Sequence, residues 1–307
     1  MRTAFARTLI EIAERDPRVW LLTGDLGYSV LEPFFERIPS RAVNVGVAEQ
    51  NMAGVAAGLA HSGAVVFLYS IANFPTFRCL EQIRNDICHH ALPVRVVSVG
   101  GGLAYGTAGY THHGVEDLAV MRALPNMTVL APGDPIEAEL ATRALVDLPG
   151  PAYLRLGKAG EPAVHAAPPA FSVGRAIAVR GGADVTLIST GGMLKRAVLA
   201  AEELEREDGL SVRVLSMHTL KPLDAAAIGC AALETRLVVS VEEHSRVGGL
   251  ASAVAEVLAS MPDHVARLAP FALPDGPAPV VGSQHYLLAR LGSLADHVRR
   301  ELHSTRR

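Results

Sequence analysis

The sequence predicts an α/β protein of two domains, each a mostly parallel sheet covered by helices. Three observations carry this reading. Strand-like apolar runs alternate with helix-like segments along the chain, the pattern of repeated βαβ units. The alternation is interrupted near residues 159 to 171, where Gly160, Pro162, Pro168 and Pro169 leave no periodic apolar face, as a linker does. The 307 residues also exceed what one core commonly needs. The expected domains are residues 1–165 and 170–307.

Val19 to Leu22 is an apolar run closed by Gly24-Asp25 and reads as the first strand. Ala48 to His61 is long and rich in small residues, a helix. Ala64 to Tyr69 reads as a buried strand. Pro75 to His90 reads as one helix with Leu80, Ile83 and Ile87 on a common face. Pro93 to Val99 is β-branched and apolar, hence a strand, and Met127 to Ala131 is another. Asp134-Pro135-Ile136-Glu137 then forms a helix start: Asp as N-cap, Pro in the first turn, Glu three residues after the cap. Beyond the linker, Asp184 to Ser189, Ser211 to Ser216 and Leu237 to Val241 read as strands. Leu194 to Arg206, Asp224 to Leu233 and Leu250 to Ser260 read as helices, and a last helix is expected over His285 to His303.

Half the residues are hydrophobic and 19% are charged, which suits a well-buried α/β protein. The net charge of −3 gives no reason to expect nucleic acid or an anionic membrane as partner. Cys79, Cys88 and Cys230 form no CxxC pair, and their odd number points to reduced thiols in a cytoplasmic protein. The opening residues lack the apolar stretch of a signal peptide, and no window reaches transmembrane length.

The informative stretch is Asn44-Val45-Gly46-Val47-Ala48-Glu49-Gln50-Asn51-Met52-Ala53-Gly54. It places a carboxylate at the start of a small-residue helix, just after a short apolar strand. On spacing alone, Glu49 is a helix-start acid complementing the dipole. Ala53, Gly54, Ala56, Ala57 and Gly58 leave room for another backbone, from within the chain or from a second subunit.

Gly46-Val47-Ala48-Glu49-Gln50-Asn51-Met52 resembles the cofactor-contacting segment of the pyrimidine domain in the transketolase family. The order downstream is also similar: Tyr69-Ser70, a Phe-bearing loop, Glu81-Gln82-Ile83-Arg84, then Thr111-His112-His113-Gly114. In the second half, Asp184-Val185-Thr186-Leu187-Ile188, Thr190-Gly191, Lys221-Pro222-Leu223-Asp224 and Glu242-Glu243-His244 with Gly248-Gly249 resemble the C-terminal transketolase domain. The resemblance covers nearly the whole chain. Each motif is weak alone; their order and spacing give it force.

The resemblance implies thiamine diphosphate as cofactor. It implies that Glu49 bonds N1′ of the aminopyrimidine ring and favours the imino tautomer that removes the C2 proton. Burial and a raised pKa suit that role. Phe74 and Phe77 lie where the family places the aromatic that stacks on the ring, and Phe77 is favoured; both could equally be core residues at helical spacing. His112 matches the histidine that faces the substrate, where an imidazole can donate to an alkoxide or move a proton. A metal pair with His113 is disfavoured, because neighbours in an extended segment point to opposite faces. Asp25 matches the aspartate at the end of the first strand, and a turn-forming Asp is the competing reading. Arg155 and Lys158 stand where family members hold a substrate phosphate; solvated surface charges are the alternative.

Two departures bear on specificity. Ala108 replaces the aspartate that the family carries four residues before the histidine, and Gly100-Gly101-Gly102 stands where transketolases place a substrate-facing histidine. The family's "G-D-G" aspartate and its asparagine, which hold Mg²⁺ and the diphosphate, are also missing. Pro274-Asp275-Gly276 is the only similar string and falls near the end of the chain. The resemblance therefore implies an N-terminal partner subunit that holds Mg²⁺ and the diphosphate, in an α2β2 assembly, with no metal ligand in this chain. The leading expectation is the C-terminal subunit of a split transketolase, moving a two-carbon ketol unit between sugars or sugar phosphates. The alternatives are the beta subunit of a 2-oxo-acid dehydrogenase decarboxylase component, a deoxyxylulose-phosphate synthase, and a catalytically silent structural subunit.

Overall fold

The computed structural model describes residues 1–261 and 266–304. Among the described residues the strands are β1 (Val19–Thr23), β2 (Ala42–Asn44), β3 (Val65–Ile71), β4 (Val94–Val99), β5 (Thr128–Leu130) and β6 (Ala152–Leu156). They continue with β7 (Ile177–Arg180), β8 (Val185–Ser189), β9 (Val212–Ser216), β10 (Thr219–Lys221), β11 (Leu237–Ser245) and β12 (Arg267–Leu273). The first sheet runs β10-β5-β6-β4-β3-β1-β2 and the second β12-β11-β8-β9-β7. Each is parallel except at one edge, where β10 and β7 run antiparallel. This is the two-sheet α/β architecture expected from the alternation.

Helices cover both faces of the first sheet. Helices Arg2–Ala13 and Pro135–Val146 bury Phe5, Leu9, Ala138 and Leu145 against Leu21 and Phe67. On the other face, helix Glu49–His61 packs Met52, Ala53 and Ala56 beside Ile83 and Ile87. That second core does not stop at the sheet's boundary. It continues into Ile188, Leu215 and Val238 of the second sheet and Met217 just beyond β9, so removing either half would expose apolar surface on the other.

The start signal at Asp134 forms as expected. Its carboxylate accepts from Glu137 N at 2.8 Å, and Glu137 accepts from Gly133 N at 2.6 Å. Asp134 Oδ2 also accepts from Val164 N and His165 N, while Glu137 pairs with His165 Nε2 at 2.8 Å. The linker is thus fastened to a helix cap.

Three expectations need correction. The segment from Pro75 to His90 is not one α-helix: it has π-helical turns at Phe74–Arg78 and Ile83–Cys88 around a short α-turn, Leu80–Gln82. Such widened turns shift the helical register of everything beyond them. The last helix is two, Gln284–Ala289 and Leu294–Ser304, parted by Gly292 at φ +78°, a conformation that favours glycine. Thr111 and His112 lie in a 3₁₀ turn rather than an extended segment.

Strand β10 comes from the second half yet completes the first sheet, covering the edge of β5. Lys221 then donates to the carbonyls of Arg122 and Leu124 at the end of helix Asp117–Ala123. Asp224, three residues on, caps helix Ala225–Glu234 through Ala227 N at 3.1 Å.

One charged residue sits deep in the first sheet. Arg95 on β4 is fully buried and donates to the carbonyls of Leu145, Leu148 and Gly150. Burial pulls its guanidinium down to about 10, still protonated at neutral pH. Replacing it with an apolar side chain leaves three acceptors without donors, at about 1–3 kcal/mol each. Arg95→Met should therefore lower unfolding stability by about 3 kcal/mol or more, read as a shifted urea midpoint at constant slope. A loss under about 1 kcal/mol would mean that water replaces the guanidinium.

Candidate active site

The sequence-selected residues gather at the C-terminal ends of parallel strands in the first sheet. Asp25 follows β1, Glu49 follows β2, Phe74 and Phe77 follow β3, His112 follows β4, and Arg155 and Lys158 lie at the end of β6. In open α/β sheets this edge is where ligands bind.

Glu49 opens helix Glu49–His61 and is 3% exposed. Arg78 Nη1 donates to its two carboxylate oxygens at 3.1 and 3.2 Å. The Arg78 guanidinium lies 4.0 Å from the centroid of the Phe74 ring, within cation–π range. Phe74 meets the His112 ring edge-on at 5.2 Å. His112 is tilted against Tyr105 at 6.3 Å, and Lys158 Nζ lies 4.6 Å over the Tyr105 ring. The sequence of contacts Glu49, Arg78, Phe74, His112, Tyr105, Lys158 therefore runs unbroken from the helix start to the end of β6. Around Glu49 a cleft of about 630 Å³ opens, lined by Val47, Ala48, Gln50, Asn51 and Arg78.

Arg78 and Tyr105 were not singled out in the sequence. Arg78 directly follows Phe77, but the π-helical turn Phe74–Arg78 decides that it reaches Glu49. Phe74, not Phe77, is the aromatic joined to His112; Phe77 stands 45% exposed. His113 is buried, with Nε2 3.5 Å from Gly106 O, while His112 is half-buried and shares Nδ1 with Thr111 Oγ1 at 3.0 Å.

Asp25 lies apart from that run. It adopts φ +59°, and its N–H donates to Asn44 Oδ1 at 3.0 Å. Its Oδ1 accepts from Tyr28 and Asn44. The turn geometry and the position at the strand end thus coexist in one residue.

The two basic residues at the end of β6 have different surroundings. Lys158 is exposed. Arg155 is 5% exposed, and its Nε bonds Asp117 Oδ2 at 2.9 Å. Its Nη2 donates to Gly114 O at 2.7 Å and Glu243 O at 2.9 Å. Burial opposes the guanidinium charge, but Asp117, Tyr153 and Glu243 more than offset it and hold Arg155 above its ordinary value. Glu242 caps helix Leu250–Leu258 through Leu250 N and Ala251 N; burial nevertheless raises its carboxyl to about 7. Removing the cation strands Asp117, a loss of about 3–5 kcal/mol for a broken buried pair. Arg155→Met should show that loss in urea unfolding with no ligand present. Unchanged stability would free Arg155 from the structural task and return it to ligand binding.

Two α/β sheets joined by a linker, with a buried acid at a helix start and an aromatic–histidine run along the strand ends, define a two-domain α/β fold with a candidate site along the first sheet. Residues 1–160 match the transketolase pyrimidine binding domain, and residues 174–298 match the transketolase C-terminal domain. The chain belongs to the transketolase family. It is 39% identical over 293 residues to an apulose-4-phosphate transketolase subunit of Phocaeicola vulgatus, covering 95% of this chain and 92% of that one. It is 38% identical over 259 residues to a 6-deoxy-6-sulfo-D-fructose transketolase subunit of a Clostridium species, covering 84% and 80% of the two chains. Among solved structures, one described as a split gene transketolase, inactive β4 tetramer, superimposes with a TM-score of 0.86 at 36% identity, over 99% of this chain and 96% of that one.

Proposed function

We propose that this chain is the C-terminal subunit of a split, thiamine-diphosphate-dependent transketolase that moves a two-carbon ketol unit between sugars or sugar phosphates. The run of contacts from Glu49 to Lys158 carries the reading. It lines up an acid for a pyrimidine ring, an aromatic face, an imidazole and a cation along one sheet edge. We place the boundary between pyrimidine-binding and C-terminal domains at residues 165–170, within the stretch left between the two family matches.

The residues present fit the aminopyrimidine half of the cofactor. A buried carboxyl at the wall of an open cleft can share a proton with a ring nitrogen, and Phe74 or Phe77 can offer a stacking face. When bound, the cofactor supplies a nucleophilic carbon and an electron sink. Glu49 would hold the ring nitrogen and its proton, and His112 would face the substrate oxygen. Asp25 would border the same cofactor site from the end of β1.

A separate N-terminal chain would hold Mg²⁺ and the diphosphate, in an α2β2 assembly. The solved relative described as an inactive β4 tetramer supports this, since a lone β chain there assembles without activity. The two subunit relatives are named for a phosphorylated and a sulfonated sugar. A ketose with an anionic end is therefore the favoured substrate class, and sugar substrates weigh against the 2-oxo-acid decarboxylase alternative. Lys158, exposed and held over Tyr105, is the better placed cation for that anion; Arg155 is already paired with Asp117.

Two substitutions separate the proposed steps. In the complex with the N-terminal subunit, Glu49→Gln should slow deuterium exchange at the cofactor's C2 by roughly 10² to 10⁴. His112→Ala should leave that exchange within about twofold yet slow single-turnover ketol transfer by a factor on the order of 10². Equal damage to both rates by both variants would refute the division of labour, and unchanged C2 exchange in Glu49→Gln would remove Glu49 from the mechanism.

Lys158→Ala should raise KM for a phosphorylated ketose by roughly 10-fold or more, the loss of a charge-assisted contact. KM for the unphosphorylated sugar should stay near wild type. Equal effects on both sugars would assign Lys158 to the surface.

A further inference from the structure

The loop that carries His112 is not held by its own sheet alone. Between β4 and helix Asp117–Ala123 it has only two 3₁₀ turns, Gly106–Ala108 and Tyr110–His112, and Gly100, Gly102 and Gly109 all adopt positive φ. Its internal backbone bonds are those of short turns and of one bridge between Gly102 and Gly114, not of a continuous helix or strand. The first half fastens it through Gly100 N and Gly101 N to Leu156 O and through Asn73 Nδ2 to Thr111 O, and the second half of the chain adds further fastenings. Glu243 on β11 is 4% exposed, and its Oε1 accepts from Leu103 N at 2.7 Å. Gln284 Nε2 donates to both Glu243 oxygens, at 3.0 and 2.9 Å. A Cβ at Gly102 would lie 2.4 Å from the Glu243 carboxyl carbon, so the turn is closed down onto that carboxylate. Gly282 N donates to Gly106 O at 3.3 Å, and a Cβ at Gly106 would meet Gly282 O at 2.5 Å. At the loop's far end, Ser245 N donates to Val115 O at 2.8 Å, and Arg155 joins Gly114 O to Glu243 O.

We propose that Glu243, braced by Gln284, is a positioning residue. From the second sheet it fixes the start of the loop at Leu103, and through it the placement of the His112 imidazole. The C-terminal half then does more than pack beneath the site: it sets the substrate-facing group from behind. The inference rests on the reading of His112 as that group, while the clamp itself can be measured without it.

The test uses the full chain and its complex with the N-terminal subunit. Glu243→Ala removes both the acceptor for Leu103 and the brace for Gln284. Glu243→Gln keeps an acceptor for Leu103, and Gln284 can turn its amide to suit. In the full chain alone, hydrogen exchange of the amides of residues 103–113 should accelerate roughly 10- to 100-fold in Glu243→Ala and stay near wild type in Glu243→Gln. In the complex, kcat for ketol transfer should fall in Glu243→Ala by roughly 10-fold or more, C2 exchange should hold within about twofold, and Glu243→Gln should restore transfer. Unchanged loop exchange in Glu243→Ala would overturn the clamp, as would a Glu243→Gln variant as impaired as Glu243→Ala. If Glu243→Ala does not fold, Gln284→Ala takes its place: accelerated loop exchange supports the proposal and unchanged exchange overturns it. A wild-type complex without ketol transfer would refute the functional reading, yet the exchange comparison on the chain alone would still decide the clamp.

Discussion

The buried ion pair between Arg155 and Asp117 is the interaction on which the arrangement of the two sheets most depends. Asp117 accepts from Arg155 Nε and from Tyr153 Oη at 2.6 Å, with the carboxylate wholly buried. A pair so far from water is costly unless further bonds complete it. Here Nη2 of the guanidinium adds bonds to Gly114 O and Glu243 O. One side chain at the end of β6 therefore ties together helix Asp117–Ala123, the His112 loop and β11 of the second sheet. Lengthening Gly101 by one carbon would strike Arg155, a Cβ there falling 2.4 Å from Nε, which explains a glycine at a turn where the loop must pass close.

The family motifs of the second half find their reasons in the same interface. Glu242, Glu243 and His244 are consecutive on β11, and each addresses a different target. Glu242 accepts two N–H groups at the start of helix Leu250–Leu258, and Glu243 accepts from Leu103. His244 takes Ala119 N–H on Nε2, which leaves Nδ1 to donate to Ser245 O; burial lowers its pKa, in keeping with a neutral ring. Lys221 and Asp224 divide similarly between the first sheet's helix end and a cap of their own. These are polar groups that a buried interface must satisfy in full.

The candidate site was partly legible in the sequence. Glu49 could be read because an acid at a helix start and a family segment coincide on one short stretch. His112 could be read from motif order, and Lys158 from its place after the last strand of the first domain. What brought them into one line was Arg78 and Tyr105, and neither announces itself. Arg78 depends on the π-helical turn Phe74–Arg78, which has no reliable signature in hydrophobic spacing. The same turn joined Phe74 rather than Phe77 to the histidine. Arg155 was legible as a basic residue at a strand end, but its partner Asp117 lies 38 positions away, a distance no local pattern encodes.

The sequence by itself determined the alternation of strands and helices, the cap at Asp134, the interruption between the halves and the family. These are set by neighbours within a few residues, through apolar periodicity, capping and turn chemistry. Only the tertiary structure decided that β10 crosses back to close the first sheet's edge. It also decided that one core runs through both halves, and that Glu243 reaches over to hold Leu103. Each of these joins groups far apart in the chain: the shared core is selected by the burial of apolar surface, and the closed sheet edge and the Glu243 contact by polar atoms that must find partners once water is excluded.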